Sequence, residues 1–474
     1  MAWVFGSGVV FLTLLALPKY PGHAYMFLIF SGVFNGLLFA GFRKKALFFD
    51  TFIGIFLWLG FWFKFSATLL LRGGRFVDAT GGFDFSGPAF DRALLVGAIG
   101  AAALLVASLI RGRCWFSYPD APIAGQRQRI LDTYERYRKV ILFSFVSLFI
   151  IVGATNVWLG IYQRGCMPRT ILPFGLNGVY TWLLLFGLTS LSAVILDCEC
   201  RTNSRPYSVL SLALLETFCS SVSMLSRGMI INAGTLAFGV DGAQKAKAFW
   251  LDARFKMIAV VAAIFLFAGS IFTVNFLRAY RFQLAPSRLS ATDATIQTYY
   301  TSSALFIGRW VGIEGAVAVS SYPDLGWNLW TRAWQERAST FGTSLYDREI
   351  SRSAYGNENL ASHHFISMPG ILAFCYYPGS YAVLFCSMFL LGLGGAAIEI
   401  MVYRSCGSNV ILCSLMAQVI AYRYAHFGYA PRQSYLLIGT MLANVLLLFV
   451  LNRACGLLAE GERRPDSCQA EVSS

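Results

Sequence analysis

Residues 217–236 read TFCSSVSMLSRGMIINAGTL: the end of one apolar helix, the triplet Ser226-Arg227-Gly228, and a second apolar stretch from Met229. So short a turn between two such stretches predicts a helix hairpin, and apolar residues on both sides predict that it lies in lipid. Ser226 is the expected N-cap of the second helix, whose first N–H groups have no partner within the helix. A helix N-terminus is already partly positive, so Arg227 beside it is unfavourable unless a negative ligand lies between them. A phosphate on a lipid meets both conditions, and the rest of the chain can be read against that requirement.

Working outward, the composition agrees with a membrane setting. The chain is 57% hydrophobic and 13% charged, with a mean hydropathy of +0.59. Those values exclude an ordinary soluble domain. The formal net charge of +14 does not imply a nucleic-acid partner. Its cations are scattered between apolar stretches, where topology and anionic lipid account for them. Cysteine usage gives no disulfide framework, and Cys198-x-Cys200 lacks the histidines of a metal site.

Windows of roughly 20 apolar residues predict about twelve spans. They cover residues 3–17, 24–41, 46–70, 94–110, 140–162, 173–195, 208–225, 229–242, 257–277, 371–402, 409–425 and 434–452. With the N-terminus inside, the inner loops collect Arg43-Lys44-Lys45, the cluster from Arg111 to Lys139, Lys245 to Lys256 and the tail from Arg453. That is the positive-inside pattern, with both termini cytoplasmic. Ile123–Lys139 reads as an amphipathic helix on the inner surface. The resulting organisation is spans 1–9 over 1–277, a large outer loop over 278–366, spans 10–12 over 367–452 and an inner tail over 453–474.

The outer loop is too long for a plain connection and too aromatic for a disordered one. Tyr299, Tyr300, Phe306, Trp310, Tyr322, Trp327, Trp330 and Trp334 predict a small helical subdomain there. Its rings suit either sugar stacking or an interfacial belt. Arg309 sits in an apolar run, with Glu314 either its structural partner or a base. His363-His364 precedes the tenth span and supplies further candidate bases. Lys64 and Arg423 stand near outer helix ends, where each either contacts phosphate or reaches for the interface. Arg278 and Arg281 flank the ninth span, and Glu216 lies deeper, where a carboxyl is expected to be protonated or paired. Arginine suits phosphate because its planar fork donates two bonds at once. No P-loop, nucleotide-binding glycine fingerprint or Ser-His-Asp signal is present.

Three short matches carry a resemblance. Ser226-Arg227-Gly228 lies at an outward helix turn. Arg309-Trp310 is followed by Pro323-Asp324-Leu325-Gly326. His363-His364 is followed by Tyr377-Pro378-Gly379-Ser380, placed inside the next span. In order and sidedness they resemble the bacterial O-antigen polymerase and ligase superfamily, over roughly residues 208–395. Phe365 follows His364 where that pattern has asparagine.

The resemblance implies an all-α integral membrane glycosyltransferase, GT-C-like, of the bacterial inner membrane, using no cofactor and no metal. Its substrates would be glycans on undecaprenyl diphosphate, and its partners a chain-length regulator and a flippase. Arg227 and Arg309 would bind the diphosphate, with Ser226, Gly228, Lys64, Arg423, Arg278 and Arg281 as further contacts. His364, His363 or Glu314 would act on the acceptor hydroxyl. The product would be O-antigen of a lipopolysaccharide, capsule or exopolysaccharide. A ligase onto lipid A core and a flippase for the lipid-linked unit are the alternatives.

Overall fold

The computed structural model describes residues 2–114, 118, 128–164, 168–202, 206–226, 228–245, 261, 265–266, 268–277, 308, 310–337, 343–353, 366–434 and 436–451. Helix dominates, and no described residue is in a β-strand. Among the described residues, five helices are long and apolar enough to cross a membrane: Phe48–Arg72, Gly87–Arg113, Leu131–Leu159, Pro173–Thr202 and Tyr381–Ser405. Shorter apolar helices include Ala24–Ala40, Ser208–Ser223, Val410–Ala425 and Leu436–Leu451.

Large side chains such as Phe143 (74% exposed) and Trp158 (79%) point outward from apolar helices. A water-soluble molecule does not carry such surface over whole helices, so these faces are lipid-facing. This is an all-helical membrane-embedded protein.

The chain forms two compact units. The first comprises residues 1–118, 282–399 and 417–435, and the second 119–281, 400–416 and 436–474.

The first unit is built on aromatic packing. Phe34 stacks on Phe61 with centroids 5.1 Å apart, and Phe30 and Phe65 join the cluster. The Phe48–Arg72 helix widens to π geometry over Trp58–Phe63. Such widening disturbs the regular face of a helix and often marks a function-bearing position. Here it coincides with Gly60, where a Cβ would lie 2.2 Å from the carbonyl oxygen of Val311. Gly312 meets Gly60 in turn, its Cβ position being 2.3 Å from the Gly60 oxygen. The segment at Val311 and Gly312 therefore rests backbone-to-backbone on the apolar helix, an approach that only glycine permits.

That segment contains the short helices Ile313–Ser320 and Trp327–Gln335 and a π turn at Tyr346–Ile350. Asp347 ties it together. Its carboxylate accepts from Ser344 and Ser353 hydroxyls, each at 2.8 Å, and from the Ser367 amide at 3.0 Å.

At the other end of the unit, charge is matched with equal care. Glu399 accepts from the amides of Phe48 (3.0 Å) and Phe49 (2.8 Å), the first turn of the Phe48–Arg72 helix. A carboxylate at that point satisfies orphan donors and opposes the positive helix end. Asp50 accepts from the Leu47 amide at 3.0 Å and pairs with Arg111.

In the second unit, helix Gln128–Leu159 combines the expected surface helix with the following span. Tyr137 (φ −106°, ψ 15°) kinks it where the polar and apolar parts meet. Glu199 accepts from Tyr134 and Arg138 across this bend. Helix Ile230–Lys245 occupies the expected eighth segment. Hydroxyls and amides link the helices: Asn444 donates to Ser190 Oγ, and Ser414 to the Thr235 carbonyl.

The tenth apolar stretch departs from expectation. Residues 371–402 are not one helix. Ile371–Cys375 is a single turn and the long helix begins at Tyr381. Pro378 and Gly379 cause the break: Gly379 takes φ +73°, a conformation that ends a right-handed helix. Tyr377-Pro378-Gly379-Ser380 is thus a turn before the span rather than a motif inside it.

Candidate functional site

Lys64 does not reach for the interface. It is 2% exposed, and its ammonium donates to the carbonyls of Gly308 (2.9 Å) and Trp310 (2.8 Å). It also pairs with Glu314 Oε1 at 2.6 Å. The residues on both sides of Arg309 are therefore held by one buried ammonium. Glu314 has Lys64 as a partner; the pairing with Arg309 that the sequence suggested lies outside the described residues. Burial raises its carboxyl above the ordinary value, against the opposing pull of the Lys64 charge. Its Oε2 is buried with no hydrogen-bond partner among the described residues. Tyr346, wholly buried, is raised well above the usual phenol range by burial and then by the negative charge of Glu314.

Two turns singled out in the sequence meet in this unit. The Gly326 amide donates to the Tyr377 carbonyl at 2.9 Å, and the Cβ position of Gly379 is 3.3 Å from Leu325 Cβ. Leu325-Gly326-Trp327 and Tyr377-Pro378-Gly379 thus form one corner. Beside it, Trp330 stacks on Trp334 at 5.8 Å and packs on Phe374 at 4.9 Å. Trp330, Trp334, Phe374 and Tyr424 share a cavity of about 380 Å³ with Leu390 and Gly394 of the long helix. Its walls are chiefly hydrocarbon, which suits an acyl or prenyl chain better than a sugar. Arg423 is half-buried on helix Val410–Ala425 and engages a neighbour.

The Ser226 turn belongs to the second unit, and Ser226 is not the N-cap that its position suggests. Its amide donates to the Ser221 carbonyl at 2.9 Å, while the Leu225 amide donates to Val222 at 3.1 Å. Those two bonds close the preceding helix as a Schellman motif. Leu225 occupies the left-handed position (φ +51°) that glycine usually takes, at a cost of about 1–2 kcal/mol. Ser226 Oγ is buried without a partner among the described residues, and the next helix starts only at Ile230. Gly228 accepts from the Ile231 amide at 3.2 Å in the intervening turn. Asn156 pins the helix end, donating to the Ser223 carbonyl at 3.0 Å and to its hydroxyl at 2.8 Å.

Arg227, Arg309, His363, His364, Arg278 and Arg281 lie outside the described residues. Among the candidates that are described, Lys64 and Glu314 come together, and Ser226 and Gly228 share a turn. Sequence reading missed Glu399 and the Asp50–Arg111 pair. The available signal was a charged residue inside an otherwise apolar run, which marks a buried partner without identifying it. No metal-ligand cluster occurs among the described residues. Comparisons with protein-family models, curated proteins and solved structures find no match to this chain.

Proposed function

We propose that this protein is a polysaccharide polymerase that joins lipid-linked glycans at the periplasmic face of a bacterial inner membrane. In this reading about twelve helices span the bilayer in a GT-C-like arrangement, with both termini cytoplasmic. Both substrates are glycans on undecaprenyl diphosphate. The acceptor's hydroxyl oxygen attacks the anomeric carbon of the growing chain, the bond from that carbon to the diphosphate oxygen breaks, and the carrier leaves as its diphosphate. Arg227 and Arg309 stabilise the departing charge, and the acceptor proton passes to Glu314 or to the histidine pair. The guanidinium groups do the charge neutralisation that a metal otherwise performs.

The observation that carries this reading is the clamp around Arg309. Gly308 and Trp310 share the Lys64 ammonium, and Glu314, with one oxygen unpartnered, sits five positions beyond Arg309. Fixing the neighbours on both sides supports a positioning role for this segment, which binding a diphosphate requires. The apolar cavity at Trp330 and Trp334 offers space for part of the prenyl chain.

The test is chain elongation in vitro with the full-length protein and purified lipid-linked repeat units. Arg227→Ala and Arg309→Ala should each reduce elongation by 100-fold or more, on the order of a lost transition-state charge contact, while retaining monodisperse behaviour in detergent. Normal elongation by both variants sinks the reading.

A further inference from the structure

Among the described residues, five other buried carboxyl groups have a cation, a helix start or at least three donors. Glu314 has Lys64, Asp50 has Arg111, Glu199 has Arg138, Glu399 has two amides at a helix start, and Asp347 has three hydroxyls and an amide. Glu216 has the least. It is 0% exposed, ten residues into the apolar helix Pro206–Ser223, or about 15 Å from its start. Among the described residues its hydrogen-bond partners are two hydroxyls: Ser220 Oγ at 2.8 Å on Oε1 and Thr189 Oγ1 at 3.2 Å on Oε2. Two neutral donors do not offset a full charge in a low-dielectric interior. That position calls for a neutralising particle.

The helices packed against this one are Gln128–Leu159, Leu188–Thr202 and Ile230–Lys245. The titratable groups they bring are committed elsewhere or lack a contact with Glu216. Tyr134 and Arg138 serve Glu199, Asp197 pairs with Arg201 at 2.9 Å, and Asp132, Glu135, Arg136, Tyr137 and Lys139, in the polar first part of Gln128–Leu159, do not contact Glu216. Cys198 and Cys200 flank Glu199, and Asp241 engages another neighbour. On its own helix, Cys219 is close enough to sense the Glu216 charge.

One turn from Thr189, on the same helix face, Ser192 Oγ is fully buried and has no partner among the described residues. An unsatisfied buried hydroxyl is a place where a buried water can bond.

We propose that Glu216 is a reversible proton-binding site in the second unit, its carboxylate taking up one proton to become the neutral acid and releasing it again. This goes beyond glycan transfer, which needs no proton at that place. Intramembrane carboxyls of this kind serve proton relays and proton-driven movements.

The experiment is an infrared pH titration of the full-length protein in lipid nanodiscs, wild type against Glu216→Gln. The wild-type minus variant difference spectrum should show the carbonyl band of one protonated carboxyl at low pH. That difference band should disappear reversibly as pH rises and ignore exchange of potassium for sodium. Carbodiimide labelling of the wild type, read by mass spectrometry on the peptide carrying Glu216, needs no variant. It should fall about tenfold per pH unit above the midpoint. A difference spectrum without that band at any pH overturns the assignment. So does a wild-type band unmoved by pH, which marks a permanently neutral structural acid. Loss of the band on adding sodium at constant pH identifies a metal cation as the ligand and overturns it too.

Discussion

The two units handle buried polarity in different ways. The first mostly matches charge with charge or with a helix terminus, as at Lys64–Glu314, Arg111–Asp50 and Glu399, with Asp347 held instead by hydroxyls and an amide. The second has the Glu199–Arg138 and Asp197–Arg201 pairs but otherwise relies on neutral hydroxyls and amides, as at Asn156, Ser190, Ser414 and Glu216. A paired charge is rigid because either partner alone is strongly penalised. A hydroxyl network is softer, since each bond contributes only about 1 kcal/mol and can be exchanged for water or another hydroxyl. The contrast teaches that the first unit is built to hold a segment still, and the second can tolerate a change of charge.

The largest effect should come from splitting the buried pair. Lys64→Met or Glu314→Ala alone should destabilise the first unit by about 3–5 kcal/mol. Thermal unfolding in detergent should register this, together with faster proteolysis of the segment after Trp310. The double variant Lys64→Met/Glu314→Leu should recover much of that loss. Equal losses in single and double variants would remove the charge-matching explanation.

A smaller effect is expected in the second unit from Asn156→Ala. It deletes bonds to Tyr162 and Ser223 and should cost about 2 kcal/mol. If this loss matches that of the split pair, the proposed difference between the units collapses.

The smallest effects concern backbone strain, where the units should behave alike. Ala430 (φ +44°) and Ser408 (φ +58°) adopt left-handed conformations. Ala430→Gly and Ser408→Gly should each stabilise by up to about 1 kcal/mol, visible as a small rise in melting temperature. Lower melting temperatures for both would show that side-chain contacts outweigh the strain.

Much of the helical layout was legible in the sequence. The segments at 24–41, 173–195 and 409–425 reappear as Ala24–Ala40, Pro173–Thr202 and Val410–Ala425. The bend at Tyr137, the π widening at Trp58–Phe63 and the break at Gly379 were not legible, because each depends on what the helix packs against. The candidate site was half legible. Lys64 and Glu314 stood out as charges in apolar runs, but their pairing did not, and Ser226 passed for an N-cap when its amide closes the helix before it.

The sequence by itself determined that this chain is a helical membrane protein. The free energy of placing a segment in lipid accumulates residue by residue, so local composition suffices. Only the tertiary structure decided which buried charge meets which partner. Electrostatic compensation depends on distance and desolvation at the contact, and these exist only once distant parts of the chain have packed. Lys64 and Glu216 show the two results: one buried charge matched by a carboxylate, the other left with a pair of hydroxyls.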